Sequence, residues 1–107
     1  MTEKPPYPSD GIHVLVDTAN ARVIEVTLGP GQSVPTHKHT HAEELCYCLT
    51  GSLSVESQGH PRQTLKPGES CRIPGDQVHQ VINPGPAPCK LLLVHRGGGF
   101  DFIPSGA

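Results

Sequence analysis

The chain has no Trp, one Met, and only two Tyr and two Phe among 107 residues. A base-stacking surface built from rows of exposed rings has almost nothing to work with. A strongly basic face is also missing. Eight Lys and Arg stand against ten Asp and Glu, for a formal charge of −2, which makes a poor binder of phosphate backbones. No apolar run approaches the length of a membrane span. The expected partner is therefore a small molecule rather than a nucleic acid or a membrane. The N-terminus, Met1-Thr2-Glu3-Lys4-Pro5-Pro6, lacks the apolar centre of a signal peptide. Paired Cys-x-x-Cys spacing is absent too, so a zinc knuckle is not expected. Cys46 and Cys48 lie two apart in a strand-like run, roughly ~7 Å along the strand, and are poorly placed to bridge each other. Cys46, Cys48, Cys71 and Cys89 are read as reduced thiols of a cytoplasmic protein.

Gly and Pro are abundant, at 12 each, and no 3.6-residue periodicity survives beyond two turns. Short strands separated by turns are favoured. Strands are expected over Ile12 to Val16, Arg22 to Leu28, Val34 to His39, Glu44 to Thr50, Glu69 to Ile73, His79 to Ile82 and Cys89 to His95. Ser52–Ser57 and Arg62–Lys66 should form a hairpin about Gln58-Gly59-His60-Pro61. The run Leu91-Leu92-Leu93-Val94 suggests a strand buried on both faces. Residues 1–10 read as a loose arm, residues 11–96 as a β-barrel domain, and residues 97–107 as a Gly-rich tail with Phe100, Phe102 and Ile103 as anchors. So many short strands fit an all-β sandwich or barrel.

Seven histidines are many for this length, and three fall in His37-Lys38-His39-Thr40-His41. In an extended segment alternate side chains share a face, so all three can point one way. Glu43 and Glu44 follow directly. A single His in a polar loop would call for no explanation. A His-x-His pair with a carboxylate beside it and a further His downstream is a metal-ligand pattern, because imidazole and carboxylate suit zinc, iron, manganese, nickel and copper.

The segment from Gly31 to Gly51 resembles the first motif of the cupin family. Gly31 is followed after five residues by His37 and His39, after four more by Glu44, and after six more by Gly51. Gly68, Pro74, His79 and Asn83 match the second motif, with Asp76 standing where that motif has glycine. Asp tolerates the left-handed backbone such a turn needs better than most residues. The resemblance implies a single-domain jelly roll (a double-stranded β-helix barrel) holding one divalent transition metal through His37, His39, Glu44 and His79. Glu43 fits less well, since it leaves seven residues before Gly51, and reads as a solvated charge. Relatives of this kind include dioxygenases, isomerases, decarboxylases, lyases and cyclases. The implied function is a metal-dependent enzyme on a small organic substrate, dioxygenase-like or isomerase/lyase-like. The alternative is a non-catalytic sensor or small-molecule binder.

Three imidazoles and one carboxylate leave a divalent ion with a net charge of about +1 and with open positions, as a catalytic or binding metal requires. Candidates for a catalytic role around it are His41, Tyr47 and Arg72. His41 either lines the pocket or lies in solvent, and Arg72 is placed to meet a substrate carboxylate or lies on the surface. Cys46 and Cys48 should face inward as small apolar groups. Leu45, Tyr47 and Leu49 would then form an opposite apolar face, which a homodimer would cover, or else the terminal arms. His13 and His60 fall in no pattern, and His95 lines the pocket if its strand faces inward.

Overall fold

A computed structural model describes residues 11–104; the expected N-terminal arm lies outside them. Ten strands form two five-stranded antiparallel sheets. These are β1 (Ile12–Asp17), β2 (Ala21–Leu28), β3 (Ser33–Lys38), β4 (Glu43–Thr50), β5 (Leu53–Ser57), β6 (Gln63–Leu65), β7 (Ser70–Ile73), β8 (His79–Ile82), β9 (Cys89–Arg96) and β10 (Ile103–Pro104). One sheet runs β1-β2-β9-β4-β7 and the other β10-β3-β8-β5-β6. The alternation of strands between facing sheets is the expected jelly roll. The hairpin of β5 and β6 is present. The short β10 was not anticipated. It carries the tail back to pair with β3, Ile103 opposite Lys38 and Pro104 opposite His37.

Period-2 patterning explains which side chains reach the core. On β2, Ile24, Val26 and Leu28 are buried, while Val23, Glu25 and Thr27 are half-exposed. On β9, Cys89, Leu91, Leu93 and His95 are buried. Leu92 and Val94 are only half-buried, so the expectation of a strand covered on both faces is corrected: the run is continuous in hydrophobicity but one-sided in burial. Strand register aligns these residues in rows across the inner face. Ile24, Leu93, Cys46 and Cys71 make one row, and Val26, Leu91 and Cys48 the next. The four thiols are free, and Cys46 and Cys48 pack inward as apolar groups.

One irregularity decides where the histidines point. Val34 and His37 are both buried, which strict alternation forbids for an even and an odd position. The β3–β8 register slips between them, consistent with a bulge at Pro35-Thr36. The extra residue flips the face, so His37 and His39 turn inward. The turn residues behave as the motifs require. Gly51 has φ +75°, and a Cβ there would come within 2.8 Å of Cys89 Cβ and of the Pro88 carbonyl. Asp76, in the glycine position of the second motif, adopts φ +64°. Its N–H donates to the His39 carbonyl at 2.6 Å and its carboxylate pairs with Lys38 Nζ at 3.0 Å.

Candidate metal centre

His37 and His39 come from β3 and the residue just after it, Glu44 from β4 and His79 from β8. The bulge, the β3–β8 pairing of His37 with His79 and the facing of the two sheets bring them together. All four are buried, and their candidate donor atoms lie within 4.8 Å of one another. Glu44 Oε1 is 3.1 Å from His39 Nε2 and 3.4 Å from His79 Nε2. His37 Nε2 lies 3.2 Å from His39 Nε2.

The outer nitrogens set the tautomers. His37 Nδ1 donates to the Pro35 carbonyl at 2.6 Å, His39 Nδ1 to the Asp101 carbonyl at 2.5 Å, and His79 Nδ1 to the Gln77 carbonyl at 2.9 Å. A carbonyl only accepts, so each Nδ1 carries a hydrogen, and the neutral form of each ring turns an Nε2 lone pair inward. Lone pairs of several imidazoles and a carboxylate oxygen converging at these distances repel, unless a proton or a cation sits among them. The buried Glu44 Oε2 and His79 Nε2 have no hydrogen-bond partner among the described residues. Orphaned buried acceptors are costly and ask for an explanation. A divalent ion supplies it, so the residues fit a metal.

The electrostatics agree. Burial, then the neighbouring His79, pushes the His37 imidazole down to about 4, so it is neutral and available as a donor. Burial opposes the charge on Glu44, but the surrounding imidazoles outweigh it and hold the carboxyl well below its usual range. Burial likewise lowers His79, but the Glu44 carboxylate overcomes this and raises it.

Two sets of residues beyond the four belong to this neighbourhood. His95 is 3 % exposed, and its Nε2 donates to Glu44 Oε1 at 2.8 Å. It was legible only as a conditional member; its phase with Leu91 and Leu93 is the signal that it faces inward. The tail supplies the other set. The Phe102 ring stacks on His37 at 4.2 Å and 17°, and Phe100 lies 4.8 Å from His95 and 5.2 Å from His39. Asp101 clamps this strap: its carboxylate accepts from Thr40 N at 2.8 Å and from Thr40 Oγ1 at 2.5 Å.

The three proposed catalytic side chains do not reach the cluster. His41 is exposed, beside Gly98. Tyr47 is 36 % exposed and Arg72 exposed, both on the outer side of the sheet. Arg72 Nε binds Glu43 at 2.7 Å, so of the two readings for Arg72 the surface one describes it. Glu43 also binds Arg96 at 2.5 Å, and the hydrogen bonds from the two guanidiniums hold its carboxyl below the usual range. It is an outer-face ion bridge rather than a bare solvated charge. A cavity of about 200 Å³ opens between the β5–β6 hairpin and β7, lined by Val55, Ser57, Cys71 and Ile73 among others, but none of the four clustered residues lines it.

The chain is 27 % identical over 88 residues to the mannose-1-phosphate guanylyltransferase RfbM of Salmonella typhimurium, covering 81 % of this chain and 18 % of that protein. It spans less than half the length of the curated relatives it matches. Among solved structures, an uncharacterised double-stranded β-helix protein from Klebsiella pneumoniae superposes with a TM-score of 0.81 at 25 % identity, covering 94 % of this chain and 90 % of that one. A structure of DMSP lyases superposes at 0.72 with 26 % identity, over 80 % of this chain and 44 % of that one. The model of the cupin domain matches residues 24–95, which contain all four clustered residues and His95, and the chain therefore belongs to the cupin family.

Proposed function

We propose that this protein is a metal-dependent enzyme acting on a small organic substrate, dioxygenase-like or isomerase/lyase-like. One divalent ion of iron, manganese, nickel, zinc or copper is held by His37, His39, Glu44 and His79. The observation that carries this reading is the buried convergence of three carbonyl-oriented imidazoles on one carboxylate, with Glu44 Oε2 and His79 Nε2 left without hydrogen-bond partners among the described residues. A bound ion supplies a Lewis acid with one or two positions open to substrate.

The chain's own residues do the rest. The Pro35, Asp101 and Gln77 carbonyls fix the imidazole planes, and His95 orients the Glu44 carboxylate. Phe100 and Phe102 keep bulk water from the donors, which strengthens every electrostatic interaction inside. The similarity to DMSP lyases is consistent with the lyase arm of this reading.

The test is elemental analysis of protein purified without chelator, followed by oxygen uptake and turnover assays. Oxygen consumption with iron, copper, nickel or manganese favours the dioxygenase. Anaerobic turnover with zinc favours the isomerase or lyase. A tight ligand recovered unchanged would replace both with the sensor reading. Wild-type protein that takes up no divalent ion would overturn the proposal.

We also propose that two copies pair through the outer face of the sheet carrying β2, β9 and β4. Val23, Leu92, Val94, Leu45 and Tyr47 are adjacent there by register and none is fully buried. Sedimentation should give a dimer, and Val94→Lys should give a monomer that retains its metal. A monomeric wild type ends this part. The reduced thiols fit a cytoplasmic setting.

A further inference from the structure

We infer that Arg22 is the anion anchor of the metal pocket, and that the substrate is a small carboxylic acid. The inference rests on the metal reading above and names its substrate class. Register places Arg22, His95, Glu44 and Ile73 in one cross-sheet row. Arg22 is in phase with Ile24, Val26 and Leu28, whose side chains fill the barrel. It is therefore an arginine on the inner face of the sheet, level with a candidate metal donor.

Acids stand near it in register, but none among the described residues pairs with it. The other three arginines are all ion-paired: Arg62 with Glu56, and Arg72 and Arg96 with Glu43. Arg22 forms no ion pair among the described residues. Asp17, its partner in the β1–β2 register, is exposed and does not pair with it. Arg22 Nε is buried without a hydrogen-bond partner among the described residues. The guanidinium lies 4.4 Å from the Phe100 ring, the same ring that borders His39 and His95. A guanidinium resting on an aromatic face is held only weakly when no anion is at hand. A buried donor without an acceptor costs stability, and the planar fork fits a carboxylate bidentately.

The field points the same way. A divalent ion on one carboxylate and three imidazoles keeps about one positive charge, and Arg22 adds a second. Positive charge held at Glu44 and at Arg22, on one cross-sheet row, together favours an anion. The register partner His95 leaves a second orphan, Nδ1, which faces no donor among the described residues. A hydroxyl on the same acid can satisfy it.

The experiment measures binding to the metal-loaded protein of two- to six-carbon mono- and dicarboxylates, each against its uncharged amide. Calorimetry gives affinity, and elemental analysis and melting curves run beside it. At least one acid should bind roughly tenfold or more tightly than its amide. Arg22→Met should abolish that preference while metal content stays at the wild-type level. Arg22→Gln, similar in length and uncharged, serves if the Met variant fails to fold. Equal binding of acids and amides by the wild type, or a preference that survives loss of the guanidinium, overturns the inference. Wild-type protein without metal sinks the metal reading first, and this inference with it.

Discussion

The two ends of the barrel bury polar side chains in opposite ways. At one end Asn83 is 1 % exposed and fully employed. Its amide donates to the carbonyls of Leu28, Gly29 and Ala87 at 2.9–3.1 Å, and its oxygen accepts from Gly85 N at 3.0 Å. It ties three chain segments together around Leu28 and Cys89. At the other end Glu44, His79 and His95 are as deeply buried, yet each keeps an atom without a hydrogen-bond partner among the described residues. Satisfied burial stabilises the fold. Unsatisfied burial weakens the empty protein and creates demand for a ligand. The first end is a structural lock and the second fits the proposed metal, although both look alike as buried polar residues.

The largest expected break of this contrast is at the receptor end. His37→Ala or His79→Ala should lower metal affinity more than the roughly 10–100-fold typical of losing an outer partner, while the metal-free barrel stays folded by circular dichroism. Full metal content in both variants would dissolve the distinction. Next is the lock. Asn83→Ala should cost about 3 kcal/mol in denaturant unfolding, since it strands buried carbonyls, with metal stoichiometry per folded molecule unchanged. Comparable instability in His79→Ala without metal would mean that both ends are structural.

Acidity separates the ends further. In the metal-free protein His37 is held neutral down to about 4, whereas unfolded imidazole takes its proton near 6.5. The unfolded state then binds more protons between these values, and stability falls as pH drops through that window. Glu44, with its lowered pKa, adds a loss below the ordinary carboxylate value of 4.5. His79 acts oppositely: its raised pKa gives stability that is fully present below 6.5 and fades as pH rises through the raised value. Melting of metal-free protein against pH should peak near 6.5, and metal should remove the alkaline decline. A flat profile would show that the cluster does not titrate as its burial requires. The smallest effect is at the strap. Phe102→Leu removes the ring stacked on His37 and should cost about 1 kcal/mol, with metal retained.

Much of this was legible in the chain itself. The alternation in β2 marked its inner face, and the Gly and Pro clusters marked the turns. The spacing of His37, His39, Glu44, His79 and Asn83 carried the family resemblance. Less was legible where periodicity misleads. Leu91 to Val94 reads as doubly buried because composition registers hydrophobicity, not which side has a neighbour. His41 continues the His-x-His alternation in sequence, but the strand ends at Lys38 and the chain turns away. Arg22 was overlooked because a charged residue at the head of an apolar strand ordinarily lies in solvent, although its phase with Ile24 already placed it inside.

Sequence alone determined nine of the ten described strands, the turns and the four candidate donors, because each rests on local spacing and on backbone preferences that neighbouring residues set. Only the folded barrel decided which orphan atoms meet. Whether Glu44 faces His95, whether Phe100 shelters Arg22, and whether the tail returns to β3 all depend on strand register between segments far apart in the chain. Register is fixed by the sum of many cross-strand contacts, and no single residue carries that sum.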